Sequence, residues 1–252
     1  IRIPASYSGC FGLKPSFGRI PMGPSPLISL SKAAVFGPLS RTVRDAALYL
    51  DLTAGSHPCD PDSLPPTGFS YEARLEGLPR NLKIAYSPDL GYAAVAGEVG
   101  ALVGKAVQAF SEMGHEVELW TGRLTDVADG WAALVNMELY SWVYRDFQAN
   151  RDRMNRTLAA ALDVAGTYTL TDIITAQDVR SQLNREMMDL FERYDLLLTP
   201  TMPTEAFAAK GPPPAEIDGR PIPLLGAVAF TYPFNLSGHP AASVRAGLTS
   251  QG

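Results

Sequence analysis

The chain has little of what builds a metal or disulfide centre: 2 cysteines and 3 histidines in 252 residues. Cys10 and Cys59 are too few for a disulfide framework or a thiolate site, and His57, His115 and His239 show no ligand spacing. Basic charge is also scarce. Lys and Arg number 21 against 26 Asp and Glu, a net charge of −5. Phosphate neutralisation needs clustered cations, so nucleic acid is not an expected partner. No apolar run approaches the roughly 18 residues of a membrane helix, so no membrane partner is expected. The opening IRIPASYSGC has no apolar stretch behind its single Arg. It therefore does not read as a secretory signal, and a cytoplasmic location is the default expectation. A dinucleotide fingerprint is missing after the first clear strand, where the sequence runs SPDLGYAAVAG. No internal repeat or low-complexity tract is visible.

Apolar residues make up 46% of the chain and charged residues 19%, enough for one large domain or two small ones with a real core. The 22 Gly and 21 Pro predict long irregular connections. Over residues 1–44, Gly9, Gly12, Gly18 and Gly23 alternate with Pro4, Pro15, Pro21, Pro24 and Pro26. That reads as short strands and tight turns, with backbone passing close to something. From Thr42 a helix is predicted, with Val43, Ala46, Ala47, Leu50 and Leu52 near one face and Gly55 as its stop. Residues 56–80 read as a surface loop. Residues 82–120 form the cleanest unit: strand LKIAYS, an amphipathic helix and strand HEVELW, a βαβ unit with a right-handed crossover expected. Helices follow over 126–163, with Trp131, Tyr140, Trp142 and Tyr144 at helical spacing, a pattern of core or interface rather than of a cofactor box. Another helix is predicted over 172–194, with Asp172 in its first turn and Arg193 in its last. DLLLTPTMP then reads as a short buried strand, 204–226 as a Pro-rich excursion, and AASVRAG as a final strand.

Four blocks, in order, resemble the amidase signature hydrolases. Ile1-Arg2-Ile3-Pro4-Ala5 with Gly12-Leu13-Lys14-Pro15 resembles the second half of the defining motif. Gly37-Pro38-Leu39 with Arg41, Val43, Asp45, Ala46 and Leu50 resembles the helix after it. Asp195 to Pro203 resembles the Leu-Thr-Pro strand, and Pro233-Phe234-Asn235-Leu236-Ser237-Gly238 with Pro240-Ala241 the Asn-Leu turn. The resemblance implies an α/β fold with a mixed central sheet flanked by helices. It further implies a single domain over 1–252, in which 1–55 is the later half of the signature region and 56–252 the remainder, incomplete at its C-terminus. The family's chemistry implies hydrolysis of a carboxamide by a Ser-Ser-Lys triad, with no metal and no organic cofactor. In that pattern the nucleophile immediately precedes the position of Ile1, and the second Ser and the Lys lie further upstream. The chain is thus expected to be truncated at both ends, to lack catalytic residues of its own, and to aggregate or need a partner when alone.

What remains is the substrate side. Arg2, two residues past the nucleophile position, is expected to support the site from a buried position, held by a carboxylate or carbonyls, with substrate-carboxylate binding as the lesser reading. Arg180 resembles an Arg that meets the substrate's α-carboxylate in the glutaminase subunit of tRNA-dependent amidotransferases; a solvated helix Arg is the competing reading. Val228 stands where that subunit has an Asp for the substrate's amino group. With Phe230 it suggests an apolar acyl or aryl pocket, and Thr231 matches a pocket-wall position. Lys14, Ser6, Ser8, Cys10 and Asp45 are taken as structural. A small-molecule amide is the expected partner, and a homodimer of the full-length protein stays open. The leading expectation is an amidase for a small, moderately apolar carboxamide. The alternatives are a non-catalytic relative and the glutaminase subunit.

Overall fold

A computed structural model describes residues 1–24, 29–77 and 79–250; Pro26, counted above among the turn residues, lies outside them. In chain order the elements are α1 (Arg2–Tyr7), β1 (Phe11–Lys14), β2 (Leu39–Ser40), α2 (Val43–Thr53), β3 (Lys83–Tyr86), α3 (Gly97–Glu112), β4 (Glu116–Leu119) and α4 (Ala128–Asn150). They continue with α5 (Arg156–Ala165), α6 (Leu170–Phe191), β5 (Leu196–Leu198), β6 (Glu216–Ile217), β7 (Arg220–Pro221), α7 (Tyr232–Leu236) and β8 (Ala241–Ser243).

The start of the chain departs from the expectation of strands and turns alone, because Arg2–Tyr7 is helical despite Pro4. A proline in the first turn lacks only an N–H that would have no intrahelical partner there. Six residues are also too few for a helical period to register. The rest of the segment behaves as its glycines suggest. A Cβ on Gly37 would run into the carbonyl oxygen of Leu13, and one on Gly12 would stand 2.5 Å from that of Ala5. These close approaches let β1 pair antiparallel with β2 on one side and with β8 on the other, Lys14 opposite Ala241.

The βαβ unit forms as its pattern predicts. β3 runs parallel to β4, with Ile84 opposite Val117, and parallel to β5, with Ile84 opposite Leu196. Ile84 and Ala85 are completely buried, while Leu196 is 41% exposed. The strand expected to be buried is an edge, paired on one side only among the described residues. The α/β class stands and both strand senses are present. They lie in separate trios, β2-β1-β8 and β4-β3-β5, and β6-β7 makes a hairpin inside the Pro-rich excursion. Thr201 Oγ1, past β5, donates to Ser243 Oγ of β8 at 3.1 Å and links the two trios.

Three helices carry the core. In α2, Thr42 caps the Asp45 N–H, and Ala46, Ala47 and Leu50 are buried. Val43 and Leu52, expected on that face, are largely exposed; Leu52 follows Leu50 by two residues, about 200° around the helix. A reciprocal Thr169–Asp172 capping box starts α6, which ends at Phe191, so Arg193 lies past its last turn. α4 packs along α6 and reaches α7. Between them Leu134, Leu183, Met187, Phe230 and Leu236 form the main apolar cluster, with Trp131 against it. Tyr140 joins a second cluster with Phe147 and Leu162, whereas Tyr144 is half exposed.

Candidate functional site

Helix α1 delivers Arg2 into the protein, 6% exposed. Its Nη2 donates to the Thr231 carbonyl at 2.8 Å and to Asn235 Oδ1, and its plane lies over the Phe234 ring. The partners are carbonyl-type oxygens; no carboxylate is among them. Burial pulls the guanidinium down to about 10, because desolvation disfavours the charged form. Both edges of a guanidinium that can grip a carboxylate with two bonds include Nη2. Its two hydrogens are already committed. Arg2 is therefore suited to hold the segment 231–235 in place and poorly suited to bind a substrate carboxylate.

That segment is anchored elsewhere as well. Thr231 Oγ1 and the Thr231 N–H both donate to the Val228 carbonyl, at 2.9 and 3.0 Å, closing a tight turn. Tyr92 donates to the Ala229 carbonyl and Tyr232 to Asp126 Oδ1, and burial raises both phenols. Val228 is half-buried against the main cluster. Phe230, expected on the pocket wall, is 2% exposed and belongs to the core behind it.

Arg180 is half-buried on α6 rather than solvated, and burial lowers its pKa. Its Nη1 donates to the Ser31 carbonyl at 2.8 Å, and its Nε/Nη2 edge has no hydrogen-bond partner among the described residues. Two residues on, the Ala33 carbonyl accepts from Asn235 Nδ2 at 2.8 Å. The structure thus brings Arg2, Thr231 and Asn235 into contact and joins Arg180 to them through the turn at 31–33. The sequence showed Asn235 only as part of a block, and it missed Glu138, which bonds to that turn. The available signal was an acid four residues after Leu134 on the buried face of α4.

Lys14 is 1% exposed, and its Nζ donates to the Pro15 carbonyl at 2.9 Å. Burial, then the charge of Arg2, pulls its pKa to about 7. His239 stacks on Phe191 and has Nδ1 3.0 Å from Ser237 Oγ, a pairing not foreseen from the sequence. Its other ring nitrogen has no partner among the described residues, so the group that orients a catalytic base is missing. Ser8 bonds back to the Pro4 carbonyl. Among the described residues, no cluster of His, Cys, Asp and Glu is placed to hold a metal. No helix there is long and apolar enough to cross a membrane.

The family model described as Amidase matches residues 1–252. The chain belongs to the amidase family. It is similar to an acylamidase of Rhodococcus erythropolis, 30% identical over 100% of this chain and 53% of that protein. It is equally similar to a glutamyl-tRNA(Gln) amidotransferase subunit of Synechococcus sp. (strain RCC307), 30% identical over 100% of this chain and 56% of that one. Among solved structures, a bacterial aryl acylamidase of the amidase signature enzymes superposes with a TM-score of 0.86 at 30% identity, covering 99% of this chain and 54% of its own. A 6-aminohexanoate cyclic dimer hydrolase complexed with substrate gives 0.80 at 26% identity, covering 100% and 56%. The chain spans about half the length of the relatives it matches. Within this amidase segment, the Arg2–Thr231–Asn235 contacts join the block at its start to the block near its end.

Proposed function

We propose that the protein containing this chain hydrolyses a carboxamide to a carboxylate and ammonia or an amine, through a Ser-Ser-Lys triad that precedes Ile1. Residues 1–252 are then an internal part of one amidase domain and are inactive alone. A serine hydroxyl is a weak nucleophile and needs a relay to a base, which a lysine provides once its pKa is depressed. The observation that carries this reading is the buried junction of Arg2 with Thr231 and Asn235. It holds the residue next to the nucleophile position against the segment that faces the acyl group.

The acyl group is apolar, aliphatic or aryl. Val228 offers no charge to a substrate ammonium, and stripping such a group of water without a partner is strongly unfavourable. A second reading, the glutaminase subunit of an amidotransferase, is favoured by one observation: the unengaged Nε/Nη2 edge of the half-buried Arg180. The deciding measurement is kcat/KM of the whole protein for benzamide or a short aliphatic amide against glutamine, with residues 1–252 assayed beside it. The proposal expects the simple amide to win and the 252-residue chain to turn over neither. A preference for glutamine overturns the apolar reading in favour of the second; turnover by the isolated chain overturns the placement of the triad.

A further inference from the structure

The segment before α2 contains a lysine in a backbone conformation that L side chains avoid. Lys32 has φ +53°, between Ser31 and Ala33, which are 0% and 1% exposed. Such residues are costly and persist where their surroundings over-determine them, often at functional sites. Here the surroundings do so. Ser29 Oγ accepts the Lys32 N–H at 3.0 Å, and Ser31 Oγ accepts the Ala33 N–H at 3.1 Å. Glu138 Oε2, reaching in from α4, accepts Ser29 Oγ–H at 2.8 Å and the Ser31 N–H at 2.6 Å.

Glu138 is 3% exposed and forms no ion pair among the described residues. A buried carboxylate without a counter-ion is an expensive way to fasten a loop, and an apolar side chain at that position would fill space at less cost. What it fastens is specific. The carbonyls on either side of Lys32 are the acceptors for Arg180 and Asn235, and Asn235 in turn accepts from Arg2.

We propose that Glu138 is a positioning residue. By fixing Ser29–Ala33, it sets where Arg180 and Asn235 stand, and through Asn235 it sets Arg2 and the 228–235 segment. The kinetic part of this rests on the amide-hydrolysis reading; the structural part does not. The experiment uses the whole protein with Glu138→Gln, Glu138→Ala, Asn235→Ala and the Glu138→Ala/Asn235→Ala double variant, assayed on benzamide and by hydrogen exchange. Gln keeps one oxygen that can accept both bonds, so Glu138→Gln retains most activity, whereas Glu138→Ala loses about 10²-fold in kcat/KM, the scale of a 1 Å misplacement. Because the two residues act through one turn, the double variant loses little more than the worse single one. In Glu138→Ala, amide exchange accelerates over residues 29–36 and 231–236 while β3 and α3 keep their protection. Multiplicative losses in the double variant overturn the proposal, as does acceleration that spreads into β3 and α3. If the wild type hydrolyses no amide, the function proposed above fails, and the exchange pattern alone decides: acceleration reaching 231–236 supports the clamp, and unchanged exchange there overturns it.

Discussion

The parallel trio and the antiparallel trio are built by different rules. In β3–α3–β4 each element shows its type in its own pattern, the paired strands follow one another in sequence, and the apolar centre of β3 is completely buried. Around β2-β1-β8 the strands are two to four residues long. Order there comes from polar contacts between residues 202 to 233 apart: Asn235 to Ala33, Arg2 to Thr231 and Arg2 to Asn235. The first region is a scaffold that tolerates change. The second is the candidate site, and its geometry depends on a few groups that cannot be exchanged.

Adding a methyl group should separate the two. Gly37→Ala puts its Cβ into the Leu13 carbonyl and should destabilise the whole protein by roughly 3 kcal/mol, seen as a lower melting temperature. An unchanged melting temperature would mean that the antiparallel trio yields as easily as the scaffold. The next effect depends on pH. An unfolded lysine keeps its proton to about 10.5, while Lys14 in the folded protein releases it near 7. Between these values the unfolded state binds more protons, so stability rises with pH. Relative to Lys14→Met, the wild type should gain about 2 kcal/mol between pH 7 and pH 9. Parallel stability–pH curves for the two proteins would contradict this. The smallest effect is Gly104→Ala in α3, where nothing stands within 4 Å of the new methyl. Thermal melts should show a gain of about 0.5–1 kcal/mol, because a helix-interior glycine loses its entropic cost.

The same contrast decides what was legible in the sequence. Helix α2 was readable because Thr42 and the spacing of Ala46, Ala47 and Leu50 are local signals, and the βαβ unit because its period changes from two to 3.6 and back. Helix α1 was not, since its six residues carry two positions, Pro4 and Ser6, that favour turns. Of the site, Arg2 was readable through its block, and its burial against carbonyl oxygens is as expected. Phe230 sits one layer deeper than its spacing suggested. The Lys32 corner and its Glu138 clamp could not be read, because the bonds that create them cross 107 and 109 residues and the left-handed backbone has no marker when the residue is lysine.

The central claim is that Arg2 works by holding the acyl-facing segment and not by gripping the substrate. It is tested most directly by kcat and KM of Arg2→Lys in the whole protein with benzamide. Lysine keeps the charge but cannot bond the Thr231 carbonyl and Asn235 Oδ1 from one planar nitrogen, so kcat should fall by about 10- to 100-fold with KM changed less than about threefold. A rise in KM with kcat unchanged would contradict the claim and make Arg2 a substrate-binding residue.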